Sequence, residues 1–234
     1  MKWREWEELP KEMQTEEVRP YYDALRKKRG SLILKRVFDV AVSLVMLLFL
    51  SPVFLILAVA IKLDSSGSIF YRQTRVTQYG KQFRIFKFRT MVQNADRIGT
   101  QVTVNGDTRI TRVGKIIRKC RLDEISQLLD VLRGTMTFVG TRPEVQKYVS
   151  QYSPEMWATL LLPAGITSMA SICYKDEDKL LDGVADVENV YVEKVLPQKM
   201  KYNLDDIKKF SFYRELKIMF LTVGAVLGKA KTEV

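Results

Sequence analysis

The chain of 234 residues has no histidine and only two cysteines, Cys120 and Cys173, which form no CxxC pair. The missing histidine excludes an imidazole general base, a histidine-containing nucleophilic triad and a Cys/His zinc site. Acid–base and nucleophilic work therefore falls to Asp, Glu, Lys, Tyr, Ser or Cys. Two unpatterned cysteines fit a reducing cytosolic environment and not a disulfide framework. Internal repeats and low-complexity tracts are also absent, which excludes a solenoid. Acidic charge is scarce: 27 Asp and Glu face 38 Lys and Arg, a net charge of +11. That sign implies an anionic partner, whether nucleic acid, an acidic membrane surface or a phosphorylated substrate.

What the sequence does have is a long apolar run. From Val40 to Ile61 there are 22 consecutive residues without a charge, and about 20 are enough to reach across a bilayer core. Its position is wrong for a cleaved signal peptide. Basic residues flank both sides, Arg26 to Arg29 with Lys35 and Arg36 before it, and Lys62, Arg72, Arg75 and Lys81 after it. A true span carries an asymmetry of positive charge, so two basic flanks place both ends in the cytoplasm. Ser51-Pro52 sits near the centre of the run. Proline removes the N–H that would bond the Leu48 carbonyl, and Ser51 is placed to cover that carbonyl. The residues thus suggest a helix–break–helix that enters one leaflet and returns. A bitopic helix with a tolerated proline fits the same residues.

The rest of the chain divides coarsely. Residues 1–30, with Trp3, Trp6 and the cluster Arg26 to Arg29, read as an appendage outside the core. Residues 31–66 form the membrane segment, and residues 67–234 a cytosolic domain resting on the membrane face. Ser68 to Met91 reads as a β-hairpin around Gln78-Tyr-Gly80. Gly99 to Asp107 reads as a polar loop, Val113 to Lys119 as a short basic helix and Glu144 to Leu162 as another helix. Pro163 to Thr167 reads as a turn, and Asp176 to Asp186 as an acidic stretch. Ser211 to Gly224 is amphipathic, then apolar, and the apolar run Ile218 to Leu227 is too short to span, so that interfacial docking or core burial suits it better. The fold class is α/β, mainly helical, an irregular membrane-associated domain with a re-entrant helix, a short hairpin and interfacial amphipathic helices.

The chemistry concentrates at Arg121 to Arg133, where Leu122, Ile125, Leu128, Leu129 and Leu132 recur at helical spacing. Asp123 and Glu124 stand at the start of that predicted helix. Acidic residues there commonly do no more than cap, yet the helix dipole and unpaired N–H groups also favour an ionised carboxylate, which can act as a nucleophile. Cations crowd the pair: Lys87 and Arg89, then Arg109 and Arg112, then Arg118 and Arg121, and Arg142 beyond the helix. Arginine forks match phosphate oxygens. A carboxylate attacking a phosphate needs charge neutralisation, which Mg²⁺ can supply through one or two carboxylates plus substrate oxygens.

Several blocks, in order, carry a resemblance. They are Lys35-Arg-Val-Phe-Asp39 with the apolar run and Ser51-Pro52, Phe70 to Arg75, Lys87-Phe-Arg-Thr-Met91, Arg109 to Lys115, Leu122-Asp-Glu124 with Gln127, Val139-Gly-Thr-Arg-Pro143, and Pro163 to Thr167. Together they resemble the monotopic polyprenyl-phosphate phosphoglycosyl transferases, the bacterial sugar transferases that begin surface-glycan, exopolysaccharide and lipopolysaccharide assembly. The resemblance implies an enzyme of the cytoplasmic face of the bacterial plasma membrane that moves a phosphosugar from a UDP-sugar to polyprenyl phosphate and releases UMP. It implies Asp123 as the nucleophile and Glu124 as its partner, both near Mg²⁺. It implies Lys87 and Arg142 around the substrate; the crowded cations Arg89, Arg112 and Arg118, with Gln127 and Pro143, are expected to bind substrate there too, with membrane lipid as a further partner and homo-oligomerisation left open. The chain departs from the family pattern at Thr141, Ser126, Asp130 and Ser168-Met-Ala-Ser-Ile172, changes that bear on the sugar more than on the reaction. The rival is a membrane-anchored basic module that binds anionic lipid or nucleic acid without catalysis. It leaves the Asp-Glu pair unexplained, and no nucleic-acid motif is present.

Overall fold

A computed structural model describes residues 3–95, 107–175 and 186–226. The expected polar loop at Gly99 to Asp107 and the acidic stretch at Asp176 to Asp186 lie almost wholly outside the described residues. The apolar run becomes one helix, α2 (Arg29–Asp64), 36 residues long. From Val40 to Ile61 it carries no charge, and only 11% of its most apolar window is buried. Pro52 orphans the Leu48 carbonyl, and the Ser51 hydroxyl donates to it at 2.8 Å. The chain accordingly stays helical through the proline. The expected break is corrected on this point: with the one freed carbonyl satisfied, the helix has no reason to open.

The first half of α2 carries a polar stripe at i, i+4 and i+8, which is a single helix face. Lys35 donates to the Val139 carbonyl at 2.8 Å and pairs with Glu215. Asp39 accepts from the Thr137 hydroxyl at 2.6 Å and from the Phe138 N–H at 3.3 Å. Ser43 donates to the Leu128 carbonyl at 2.8 Å. All three side chains are buried. Just off this stripe, Arg36 caps the end of α4 (Leu128–Arg133) through the carbonyls of Val131 and Leu132. The last turns of α2 pack elsewhere on the same body: Phe54 meets Phe88, and Asp64 accepts from the Val113 N–H at 2.9 Å.

The hairpin forms as expected, with β1 (Phe70–Val76) antiparallel to β2 (Gln82–Phe88) and Tyr71 opposite Lys87. A second sheet pairs β3 (Met136–Val139) in parallel with β4 (Ala164–Thr167). The turn expected at Pro163 to Thr167 is therefore a strand. Four residues including a glycine give no alternation to read, and the strand is specified by its partner. That partner comes very close: a Cβ on Gly165 would lie 2.2 Å from the Gly140 nitrogen and oxygen. The two backbones interlock through Gly140 N–H to Thr167 at 2.9 Å and Gly165 N–H to Thr141 at 2.8 Å.

Two expected helices are also divided. The segment after Arg121 is a 3₁₀ turn, Leu122–Gln127, continued by α4. The segment expected to be helical from Glu144 to Leu162 is α5 (Gln146–Val149) and a 3₁₀ stretch, Pro154–Leu161. Pro154 disfavours helical backbone at Ser153, which is extended. The basic helix α3 (Arg112–Lys119), then α6 (Met169–Cys173), α7 (Val187–Val190), α8 (Leu196–Lys208) and α9 (Phe212–Val226) complete the order. At the N-terminus, α1 (Arg19–Arg26) follows two short 3₁₀ turns. The reading of residues 1–30 as lying outside the core is corrected. Leu9, Met13, Val18, Tyr21, Tyr22 and Leu25 are buried in the cluster built by Val149, Leu161, Leu196 and Met200.

Breaking a buried charge pair from one side costs about 3–5 kcal/mol, whereas replacing both members with apolar residues is often neutral. Lys35→Met alone should thus destabilise the protein by that amount, and Lys35→Met with Glu215→Met should recover most of it. Denaturant unfolding of the single and double variants measures the coupling.

Candidate active site

The site forms where the hairpin, the 3₁₀ turn and the loop after β3 converge. Arg121 occupies a left-handed conformation, φ 53°, and turns the chain so that Asp123 and Glu124 open the 3₁₀ turn. Buried Ser126, Gln127 and Leu128 anchor the segment beneath them. Asp130 fixes β2 from the side, accepting from the Phe86 N–H at 2.8 Å. Its neighbour Lys87 then reaches Glu124 Oε1 at 3.0 Å. From the loop held by Gly140 and Gly165, Arg142 forks onto the same carboxylate, Nη2 to Oε1 at 2.6 Å and Nη1 to Oε2 at 3.3 Å.

The two carboxylates are therefore unlike. Burial opposes the charge on Glu124, but the Arg142 guanidinium and the Lys87 ammonium outweigh it and hold the carboxyl far below its ordinary range. Asp123 moves the other way. Burial first, and then the Glu124 charge beside it, raise its carboxyl above the ordinary value, against the weaker pull of Lys87 and Arg118. This corrects the expectation that the helix start alone favours ionisation: a short 3₁₀ turn supplies little dipole, and burial outweighs it. Among the described residues no side chain donates a hydrogen bond to the Asp123 carboxylate.

A shallow open pocket beside the pair is lined by Arg75, Ile85, Lys87, Gln127, Arg142 and Pro143. Five residues expected at the site, Lys87, Glu124, Gln127, Arg142 and Pro143, are brought together with Asp123 alongside. Arg118 is close enough to act on Asp123 and donates to the Thr90 hydroxyl at 2.8 Å. Arg112 stands apart, exposed and beside Asp64 at the end of α2. Arg89 is buried against Ser65. Arg75 had no expected role, yet it lines the pocket and donates to the Pro143 carbonyl at 3.3 Å. Strand alternation was the available signal, because Arg75, Gln73 and Tyr71 share the face of Lys87 once the hairpin register is set.

Residues 30–229 match the family described as bacterial sugar transferase. The chain belongs to that family. It is similar to the UDP-N-acetylgalactosamine-undecaprenyl-phosphate N-acetylgalactosaminephosphotransferase of Aeromonas hydrophila, 35% identical over 198 residues, which cover 83% of this chain and 44% of the relative. It is 37% identical over 196 residues to the UDP-glucose:undecaprenyl-phosphate glucose-1-phosphate transferase of Caulobacter vibrioides, covering 82% of this chain and 69% of the relative. With the exopolysaccharide production protein ExoY of Sinorhizobium fredii it shares 31% over 209 residues, 83% of this chain and 85% of that one. The chain thus spans less than half the length of the Aeromonas relative and most of the length of the other two. In this sugar transferase the N-terminal residues that fill part of the core precede the matched region.

The opposite shifts give opposite stability effects. Glu124 binds its proton less tightly folded than unfolded, so its stabilisation is present above the ordinary value of 4.5 and fades as pH falls below it. Asp123 binds its proton more tightly folded, so its contribution falls as pH rises from 3.8 through its raised value. At pH 7, Glu124→Gln should lower stability and Asp123→Asn should raise it, as read by chemical denaturation. In acid the Glu124→Gln difference should shrink.

Proposed function

We propose that the chain transfers a phosphosugar from a UDP-sugar to polyprenyl phosphate through an aspartyl-phosphosugar intermediate, releasing UMP. One observation carries this reading: of two adjacent carboxylates, Glu124 is locked to two cations while Asp123 is left open, desolvated and raised in energy when ionised. That is the state of a nucleophile, and a capping pair has no need of it. The relatives' printed activities, on UDP-sugars and undecaprenyl phosphate, are of the same class.

In the proposed first step an Asp123 oxygen attacks the sugar-bearing phosphorus. The bond from that phosphorus to the bridging oxygen breaks, and UMP leaves with the electron pair. In the second, an oxygen of polyprenyl phosphate attacks the same phosphorus, the acyl-phosphate bond breaks and the carboxylate is restored. Neither step requires a proton transfer, because attacking and leaving oxygens are anionic. Lys87, Arg142 and Arg75 line the pocket in which the diphosphate charge would be held. Magnesium suits the donor set, with the open Asp123 carboxylate as one ligand and phosphate oxygens as others. Bound there, it would neutralise the diphosphate. Glu124, whose oxygens are taken, holds the cations in place.

Membrane seating follows from α2. Its exposed apolar residues, among them Leu48 and Phe49 at 74% and 76% exposure, lie between two stretches bonded to one body. A helix with both ends on one body cannot end on opposite faces of a bilayer. This supports a segment with both ends on the same side of a bilayer, which the basic flanks assign to the cytoplasmic side.

Incubation of the protein in lipid with a panel of UDP-sugars and polyprenyl phosphate, scoring UMP, tests the reaction. Asp123→Asn should lower turnover by about 10³-fold or more while remaining folded, and excess EDTA should silence the wild type. A folded Asp123→Asn protein with normal UMP release would remove the assignment. For the topology, a cysteine placed at exposed Glu16 should label from the cytoplasmic side alone. Labelling from outside would show that α2 spans.

A further inference from the structure

We infer that Arg89 is the seat for the phosphate of the lipid acceptor, a site separate from the Glu124-centred pocket for the donor. The inference rests on the proposed reaction for the acceptor's identity, and on geometry for the site itself.

Arg89 is 6% exposed, yet its Nε and Nη1 have no hydrogen-bond partner. Only Nη2 is used, donating to the Ser65 carbonyl at 2.6 Å and hydroxyl at 2.9 Å. Among the described residues no carboxylate pairs with it. Burial lowers its affinity for its proton, and no neighbouring charge acts to restore it. A buried guanidinium with two idle donors and no counter-charge is costly unless an anion completes it. Its cover is thin. Nη1 lies against Gly67, whose φ is +116° and where a Cβ would sit 2.3 Å away, and the neighbouring Ser66, Ser68 and Gln93 are exposed.

Position selects the ligand. Arg89 continues the hairpin ladder two residues past Lys87, its N–H donating to the Ile69 carbonyl at 2.9 Å. Two strand residues amount to about 7 Å, so the seat lies near the reacting pair without sharing its cations. On its other side, Ser65 is the cap of α2. Below that cap Leu55, Ile56, Val59 and Leu63 are exposed at helical spacing, Leu63 at 83%. A ligand with a phosphate head on Arg89 and an apolar tail along that face has the chemistry of a polyprenyl phosphate. A nucleotide sugar has no group for the apolar stripe. A bilayer phospholipid shares the chemistry and is the competitor to be tested.

The test uses the full chain in nanodiscs. Polyprenyl phosphate should raise the Tm and the uncharged polyprenol should not, and Arg89→Gln should erase the difference. In steady state Arg89→Gln should raise the acceptor KM about tenfold, the scale of one lost charge-assisted hydrogen bond, while the UDP-sugar KM moves far less. Arg89→Lys, which keeps the charge and loses the fork, should fall between and serves if Arg89→Gln does not fold. An unchanged acceptor KM in a folded variant overturns the site. So does phosphatidylglycerol raising the Tm as much as polyprenyl phosphate, which would assign Arg89 to bilayer headgroups. If the wild type releases UMP from no UDP-sugar, the proposed reaction fails, and the Tm comparison still decides the Arg89 site.

Discussion

The polar stripe of α2 is the constraint on which the other parts depend. Lys35, Asp39 and Ser43 place a charge, its opposite and a hydroxyl along one face of an otherwise apolar helix. Each finds its partner on backbone or side chains of β3, α4 and α9. Desolvating these groups is expensive, so once the helix is committed to burying them only one docking satisfies all three. That docking places α2, the parallel strands and the last helix in register. The loop leaving β3 then delivers Arg142 to Glu124, and the 3₁₀ turn preceding α4 presents Asp123. The apolar helix is therefore part of the active-site framework.

The dyad shows how adjacent residues of similar chemistry acquire different roles. Two cations neutralise Glu124, whereas at Asp123 burial and the Glu124 charge outweigh the pull of Lys87 and Arg118. The electrostatic work of the site is done before any substrate arrives. The proposed reaction needs no histidine for the same reason: an anionic nucleophile displacing an anionic phosphate oxygen asks for positive charge and orientation, and arginine and lysine supply both.

The sequence made the hairpin, the apolar helix, the basic helix α3 and the last helix legible, the apolar helix by its uncharged length and the others by local pattern. Lys87, Glu124 and Arg142 were legible as a cluster of charge types, though their mutual contacts needed the fold. The strand at Ala164 to Thr167 was not legible, since four residues cannot show a period and its conformation comes from Gly140 across the sheet. The N-terminal residues misled for a different reason. Tyr21, Tyr22 and Leu25 of α1, with Val18 at its cap, do keep helical spacing, but the charge cluster Arg26 to Arg29 directly after them dominates the pattern. Arg75 was visible as a residue but not as a site member, because strand facing depends on a register set by the turn. The raised Asp123 carboxyl depends on burial, which no local pattern reports.

The contact between Gly140 and Gly165 bears on how such a protein can diversify. Neither position can take even a methyl group without parting the strands, and the loop leaving them carries the arginine that holds the dyad. Change in the surrounding residues must therefore accumulate away from this crossing. The crossing of two glycines acts as a fixed datum from which a changing surface is measured.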